Sequence, residues 1–234
     1  MCRSMKKKYT HQLKLTEIMK KKIYAAAVML FAFAAPFVVT ACDDDNEDEE
    51  GSSSSSSAGN AVDLGLSVYW ADRNVGASSA SAYGNYYAWG ETKTKSSYTD
   101  SNNTTYGVSL DDWSGKSAYD AARANWGGTW RTPTESECDE LIEDCSWTWT
   151  TKGGNTGYLV TGSNGNSIFL PAAGDMSGSE LEDDVDSGCY WTSTPYGNAL
   201  DHAYGMTFLS EESKFTTTDW NCRDLGFTIR PVKY

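Results

Sequence analysis

The chain has 234 residues and a formal net charge of −13, with 32 Asp plus Glu against 19 Lys plus Arg and only 2 His. That balance offers no basic patch to a phosphate backbone, so nucleic acid is excluded as a partner. Two histidines cannot supply a His-rich zinc site. Aromatic residues make up 13% of the chain, with 9 Trp and 14 Tyr, which predicts a core built from large rigid side chains.

At the N-terminus, Lys20, Lys21 and Lys22 precede an apolar run from Ile23 to Val39, closed by Val39-Thr40-Ala41-Cys42. A positive segment, an apolar stretch and small residues before a cut describe a secretory signal. With a Cys right after the small residues, the pattern resembles a bacterial lipoprotein signal, which implies that Cys42 becomes the lipidated first residue. The rival is a retained transmembrane helix. That needs about 20 apolar residues, whereas this run is shorter and contains Pro36. Met19 begins a compact signal of its own, so the start is read at either Met1 or Met19. Residues 1–41 are the signal peptide and take no part in the fold.

From Cys42 onward, 11 Lys plus Arg stand against 31 Asp plus Glu, a net of −20. Anionic head groups repel such a chain, so the lipid supplies the membrane attachment. One acyl chain binds marginally and stable anchoring takes two signals; lipoprotein-type modification implies several chains. Asp43–Glu50 is almost wholly acidic and Gly51–Asn60 is serine-rich. Neither carries enough apolar residues to offset chain entropy, so 42–60 is predicted to be a disordered tether with a reach of roughly 25 Å. Acidic residues directly after the lipidated Cys also resemble the surface-export signal of lipoproteins from Bacteroidetes. That resemblance implies the outer face of the outer membrane.

Residues 61–234 are read as one domain. Short apolar runs separated by Gly and small polar residues predict many short strands and long loops, with no fixed-period repeat. A short helix is expected near Asp120–Asn125. A second is specified by the Thr134/Glu137 capping box with Pro133 just outside it. Its apolar stripe is Cys138, Leu141, Ile142 and Cys145, while Asp139, Glu140, Glu143 and Asp144 read as a solvated face. Tyr158–Gly162 and Ser167–Pro171 form a hairpin across Ser163-Asn164-Gly165-Asn166. Later strands are expected at Tyr190–Thr194, Ala203–Phe208 and Phe227–Val232. Pro231 lacks an N–H, so the last of these is an edge strand or ends there.

Six blocks carry a family resemblance: VDLGLSVYWADRNVGA at Val62–Ala77, YYAWGET at Tyr86–Thr92, WGGTWRTPTESE at Trp126–Glu137, IFLPAAG at Ile168–Gly174, YWTST at Tyr190–Thr194 and GFTIRPV at Gly226–Val232. Together they resemble the Fibrobacter succinogenes major paralogous domain, frequent in secreted and lipid-anchored proteins of Bacteroidetes. That family is similar to the C-type-lectin-like fold shared with formylglycine-generating enzymes. The resemblance implies an α+β, C-type-lectin-like domain with small twisted antiparallel sheets, one or two helices and long loops. It also implies that the final strand returns beside the first. Trp126, Trp130, Trp191 and Phe227 are assigned to the core rather than to a site.

Catalytic chemistry is sparse. His11 precedes Cys42, which leaves His202 alone in the mature part, and no Gly-x-Ser-x-Gly elbow accompanies it. Formylglycine-generating enzymes use a close Cys pair near the C-terminal strand; Cys222 stands alone there, so that activity is not carried over and no enzyme is expected. Export permits disulfides. Cys138 and Cys145, seven apart on a helix and about 10 Å by helical rise, are beyond bridging range and read as buried apolar groups. Cys189 and Cys222 precede strands that can be neighbours, which leaves a bridge between them open. The acidic run Glu182–Gly188 weakly resembles a calcium loop, but no bidentate Glu sits at the EF-hand distance. The sugar-binding tripeptides of calcium-dependent lectins are also missing, so a solvated loop is the favoured reading and no cofactor is assigned.

The contact surface is read in two late loops. Tyr196, Asn198, Asp201, His202 and Tyr204 come from one, and Thr218, Asp219, Trp220, Asn221 and Arg223 from the other. Aromatics mixed with adaptable polar groups suit recognition of proteins or sugars. In related C-type-lectin-like proteins this region carries the variable ligand-binding face. The plain alternative is ordinary exposed loops. The expected function is a lipid-anchored cell-surface binding or adhesion module for a glycan or protein. A structural or accessory subunit of a surface assembly is the alternative, and a formylglycine-generating-type enzyme stands third.

Overall fold

The capping pattern at Thr134 starts a helix where it is predicted to. The computed structural model of the chain describes residues 57–182, 186–210 and 216–234. The apolar leader, Cys42 and most of the predicted tether lie outside them, as do residues 183–185 of the acidic loop. The described residues belong to one compact unit, and Asn60 is already fixed to it. Its backbone N–H and its side-chain amide both donate to the Asp72 carboxylate, and the Asp72 N–H donates to the Asn60 carbonyl.

Among the described residues the strands form small antiparallel sheets, which with two helices make an α+β fold. The first sheet joins β1 (Ala61–Val62), β2 (Tyr69–Ala71) and β11 (Val232–Lys233), with β2 in the middle. Both Val62 and Val232 pair with Trp70, so the two ends of the domain share one sheet. The second sheet contains β3 (Ser146–Lys152), β4 (Asn155–Thr161) and β5 (Ser167–Pro171). Gly153 and Gly154 join β3 to β4 with φ of 57° and 85°, the backbone that a tight two-residue hairpin demands at both positions. The predicted hairpin follows, with Thr161 opposite Ser167 and the Gly162 N–H donating to the Asn166 carbonyl at 3.0 Å. A two-stranded ribbon, β6 (Asp175–Ser177) and β7 (Glu180–Glu182), precedes the third sheet. That sheet is β8 (Ser187–Pro195), β9 (His202–Leu209) and β10 (Thr216–Cys222), with β9 central.

Helix α1 (Ala121–Trp126) is capped by Asp120, which accepts from the N–H groups of Ala122 and Arg123. The same fully buried carboxylate accepts from the Gly115 N–H, the Thr132 N–H and the Thr132 hydroxyl. One side chain therefore ties the α1 entry to two flanking segments. Helix α2 (Glu135–Asp144) carries the full capping box: the Thr134 hydroxyl accepts from the Glu137 N–H, and Glu137 accepts from the Thr134 N–H at 2.9 Å. Glu137 also pairs with the buried Arg131 at 2.6 Å. Cys138 and Leu141 are buried as the stripe predicts. Cys145 is not helical. It is the extended, half-buried C-cap, φ −115° and ψ 156°, because β3 begins at the next residue. The Trp147 indole N–H then donates to the Leu141 carbonyl, satisfying one of the carbonyls a helix end leaves open.

One face of the third sheet packs on α2 and the second sheet, with Met206, Phe208 and Tyr190 against Cys138, Leu141 and Tyr158. Gly188 lies opposite Phe208, and a Cβ there would sit 2.1 Å from the Phe208 ring. Only glycine lets that ring cross the neighbouring strand. The opposite face buries Trp191 stacked on Phe227, centroids 4.1 Å apart, near an edge-to-face Trp89–Trp113 pair. Trp130, Trp191 and Phe227 are core residues as expected. Trp126 is only half-buried, at the end of α1 and edge-on to Trp130. The predicted Phe227–Val232 strand is also broken up. Phe227 and Thr228 make isolated bridges to Tyr87 and Tyr190, and only Val232–Lys233 joins a sheet. Between them the Arg230 side chain turns inward to donate to Asn74 and to the Ala71 and Phe169 carbonyls.

Candidate functional site

The late polar segments are strand, not loop. His202 opens β9 and Thr218–Asn221 lie inside β10, so only Tyr196, Asn198 and Asp201 remain in the connection from β8 to β9. The threonine-rich Thr216–Thr218 stretch is polar enough to suggest a loop, but its β-branched side chains suit a strand that has a partner. Register pairs Trp220 with Tyr204 and Cys222 with His202, while Asp219 faces Gly205 and Asn221 faces Ala203. Side chains alternate across a strand. His202, Tyr204 and Trp220 therefore share one face, and Asp219 and Asn221 project from the other.

Tyr196 folds onto the first of these faces from the β8–β9 connection, held by its N–H to the His202 carbonyl. Trp220 meets the His202 ring edge-on at 4.8 Å and lies 6.1 Å from Tyr196, and Tyr196 meets Tyr204 edge-on at 5.1 Å. Trp220 keeps 36% of its surface exposed. The four rings make an aromatic floor whose outermost member is a tryptophan.

Carboxylates surround that floor. The Asp201 carboxylate lies 2.7 Å from His202 Nδ1. Burial is the largest influence and raises the Asp201 carboxyl, but the His202 hydrogen bond, a backbone hydrogen bond and the His202 and Arg223 charges together hold it below the usual carboxylate range. From α2, Asp139 accepts a hydrogen bond from the Thr218 hydroxyl on the Trp220 side of β10. Glu135 lies one helical turn earlier, its N–H bonded to Thr194 of β8. Partial burial and then the Asp139 charge push the Glu135 carboxyl up. Partial burial followed by the charges of Glu135, Tyr196, Asp219 and Asp139 does the same to the Tyr204 hydroxyl. The α2 carboxylates therefore act on the aromatic floor. Sequence reasoning assigned Asp139 to a solvated helix face and gave Glu135 no role; their i, i+4 spacing was the available signal.

Arg223 is not available to a ligand. It is 1% exposed, donates to the carbonyls of His202, Thr105 and Val108, and stacks on Trp89 at 4.1 Å. Burial pushes its guanidinium pKa down, opposed by the Asp201 charge. Asn198 is exposed in the connection, and the Asn221 side chain donates to the Asp219 carbonyl. No bridge joins Cys189 to Cys222: Cys189 keeps a buried thiol 3.9 Å from Asp175. The reason is sheet order. Cys189 pairs with Thr207 and Cys222 with His202, on opposite sides of β9. Two strand spacings of about 4.8 Å plus an offset of five residues far exceed disulfide reach.

No group of His, Cys, Asp or Glu among the described residues is arranged to hold a metal ion. Residues 183–185 of the weak calcium candidate lie outside them. No helix among the described residues is long and apolar enough to cross a membrane; the Ile23–Val39 run lies outside that set. No family model, curated protein or solved structure matches the chain.

Proposed function

We propose that this chain is a lipid-anchored cell-surface module that binds a glycan or protein through the face formed by Tyr196, His202, Tyr204 and Trp220. The observation that carries the reading is this ring cluster, with a partly exposed tryptophan presented on a paired strand. Clustered aromatics at the surface mark interaction sites, and side chains mounted on a sheet are held more precisely than those on loops. The six sequence blocks and the small antiparallel sheets support a C-type-lectin-like domain of the Fibrobacter succinogenes major paralogous type. Asp201 lies at the edge of the face, bonded to His202, and Asn198 sits in the same connection. The leader and Cys42 support attachment by lipid and display on the outer membrane.

The test is a screen of the full chain in non-ionic detergent against a glycan array and a panel of surface proteins. Trp220→Ala is expected to weaken the captured ligand about tenfold or more. Binding that survives Trp220→Ala unchanged removes the assigned face. Anchoring is checked separately with a clickable fatty acid, whose incorporation is expected to vanish in Cys42→Ser.

A further inference from the structure

We infer that the partner of this face is a cationic, arginine-bearing protein segment seated between the aromatic floor and the first turns of α2. This rests on the binding reading above and names the ligand class for it. The geometry is a corner. Helix α2 lies on the same face of the third sheet as the rings, with Cys138 and Leu141 over Met206 and Phe208. Met206 and Thr218 form the register pair next along that face from Tyr204 and Trp220. Thr218 is the residue that bonds Asp139, so the Asp139 carboxylate stands one residue pair from the floor. Thr194 holds the Glu135 backbone against β8, which fixes the wall of the corner.

Charge selects the occupant. Ring faces and carboxylates both attract a cation and repel an anion. Glu135 and Asp139 also repel each other, which adds to partial burial in raising the Glu135 carboxyl. A neutral sugar can stack on Trp220 but leaves that repulsion in place. A guanidinium can lie flat on the indole and pair with a carboxylate at the same time, and it is more weakly hydrated than an ammonium. The chain already combines these elements internally: Arg223 stacks on Trp89 at 4.1 Å, and Arg131 lies 4.7 Å from the Tyr234 ring while pairing with Glu137. Residues 61–234 carry 24 Asp plus Glu against 11 Lys plus Arg, a net of −13, which steers basic partners toward the domain and anionic ones away.

The probe is a labelled Gly-Arg-Gly-Arg-Gly peptide, compared with the same peptide carrying neutral citrulline, on the full chain in non-ionic detergent. The arginine peptide is expected to bind about tenfold more tightly than the citrulline peptide and to weaken as salt rises. Glu135→Gln and Trp220→Ala should each reduce binding several-fold, whereas Glu143→Gln, an equal charge change elsewhere on α2, should not. Thermal melts establish that each variant is folded. Equal binding of the two peptides, or equal effects of Glu135→Gln and Glu143→Gln, overturns the inference. A neutral oligosaccharide that binds in a Trp220-dependent way while the arginine peptide does not also overturns it, and leaves the binding face intact. If nothing captured by the chain depends on Trp220, the inference and the face fall together.

Discussion

Two aromatic regions sit on opposite faces of the third sheet, and they are finished in opposite ways. On the buried side, Trp89 carries a guanidinium from its own chain, and the indoles of Trp89 and Trp191 donate to the carbonyls of Thr192 and Tyr87. On the outer side, His202, Tyr204 and Trp220 cluster with Tyr196 beneath the acidic first turns of α2. The residues are of one kind, but the first region closes on itself and the second faces solvent. The β10 segment contributes to both, because alternate side chains leave a strand in opposite directions. Trp220 is presented outward, and Arg223, just past the strand, is drawn inward.

The sharpest way to break this contrast is Arg223→Ala. It leaves the carbonyls of His202, Thr105 and Val108 without their donor and opens space above Trp89. Unfolding in urea should show a loss of about 3–5 kcal/mol. Arg223→Lys should recover little, since an ammonium cannot reproduce the planar fork. A loss below about 1 kcal/mol would mean that the inner region is not held by its own cation. Asp120→Asn comes next, at about 2–3 kcal/mol. The amide keeps one accepting oxygen where the carboxylate uses two, one toward Ala122 and the Thr132 hydroxyl and the other toward Gly115 and the Thr132 N–H.

What the sequence disclosed follows the same division between local and long-range physics. Helix α2 was legible because the capping box and the first part of its stripe are written within a dozen residues. Its end was not, since Cys145 continues the apolar period yet belongs to the turn into β3. The Asn164–Asn166 hairpin was legible from its turn residues. Strand β10 was hidden because its pairing partner, β9, and not its own composition, makes it a strand. The aromatic members of the candidate face could be named from sequence, but the split of Trp220 from Asp219 and Asn221 required register. Arg223 was read into the contact surface as the end of a polar segment around Trp220, and nothing local reveals the three carbonyls that draw it in. Glu135 and Asp139 were visible as acidic residues, and only packing sets Asp139 against Thr218 of β10 and the Glu135 backbone against Thr194 of β8.

Smaller effects sharpen the outer region. Thr134→Ala removes the hydroxyl that accepts from the Glu137 N–H and should cost about 1 kcal/mol, read from the denaturation midpoint. It should also loosen the turn that carries Glu135, so ligand affinity is expected to fall with it.

The smallest predicted change in stability belongs to the residue with the largest predicted role in binding. Trp220 contacts other surface rings and projects away from the Trp89–Trp191 layer. Trp220→Ala should therefore shift unfolding by less than about 0.5 kcal/mol, as for ordinary surface positions, while Trp191→Ala in the same sheet should cost about 3–5 kcal/mol. Denaturation curves of the two variants beside wild type make the measurement. A Trp220→Ala loss comparable to that of Trp191→Ala would make the outer rings a second core and remove the reason for reading them as a site. Preserved stability with abolished binding would show that an exposed tryptophan here serves recognition, since the fold does not need it.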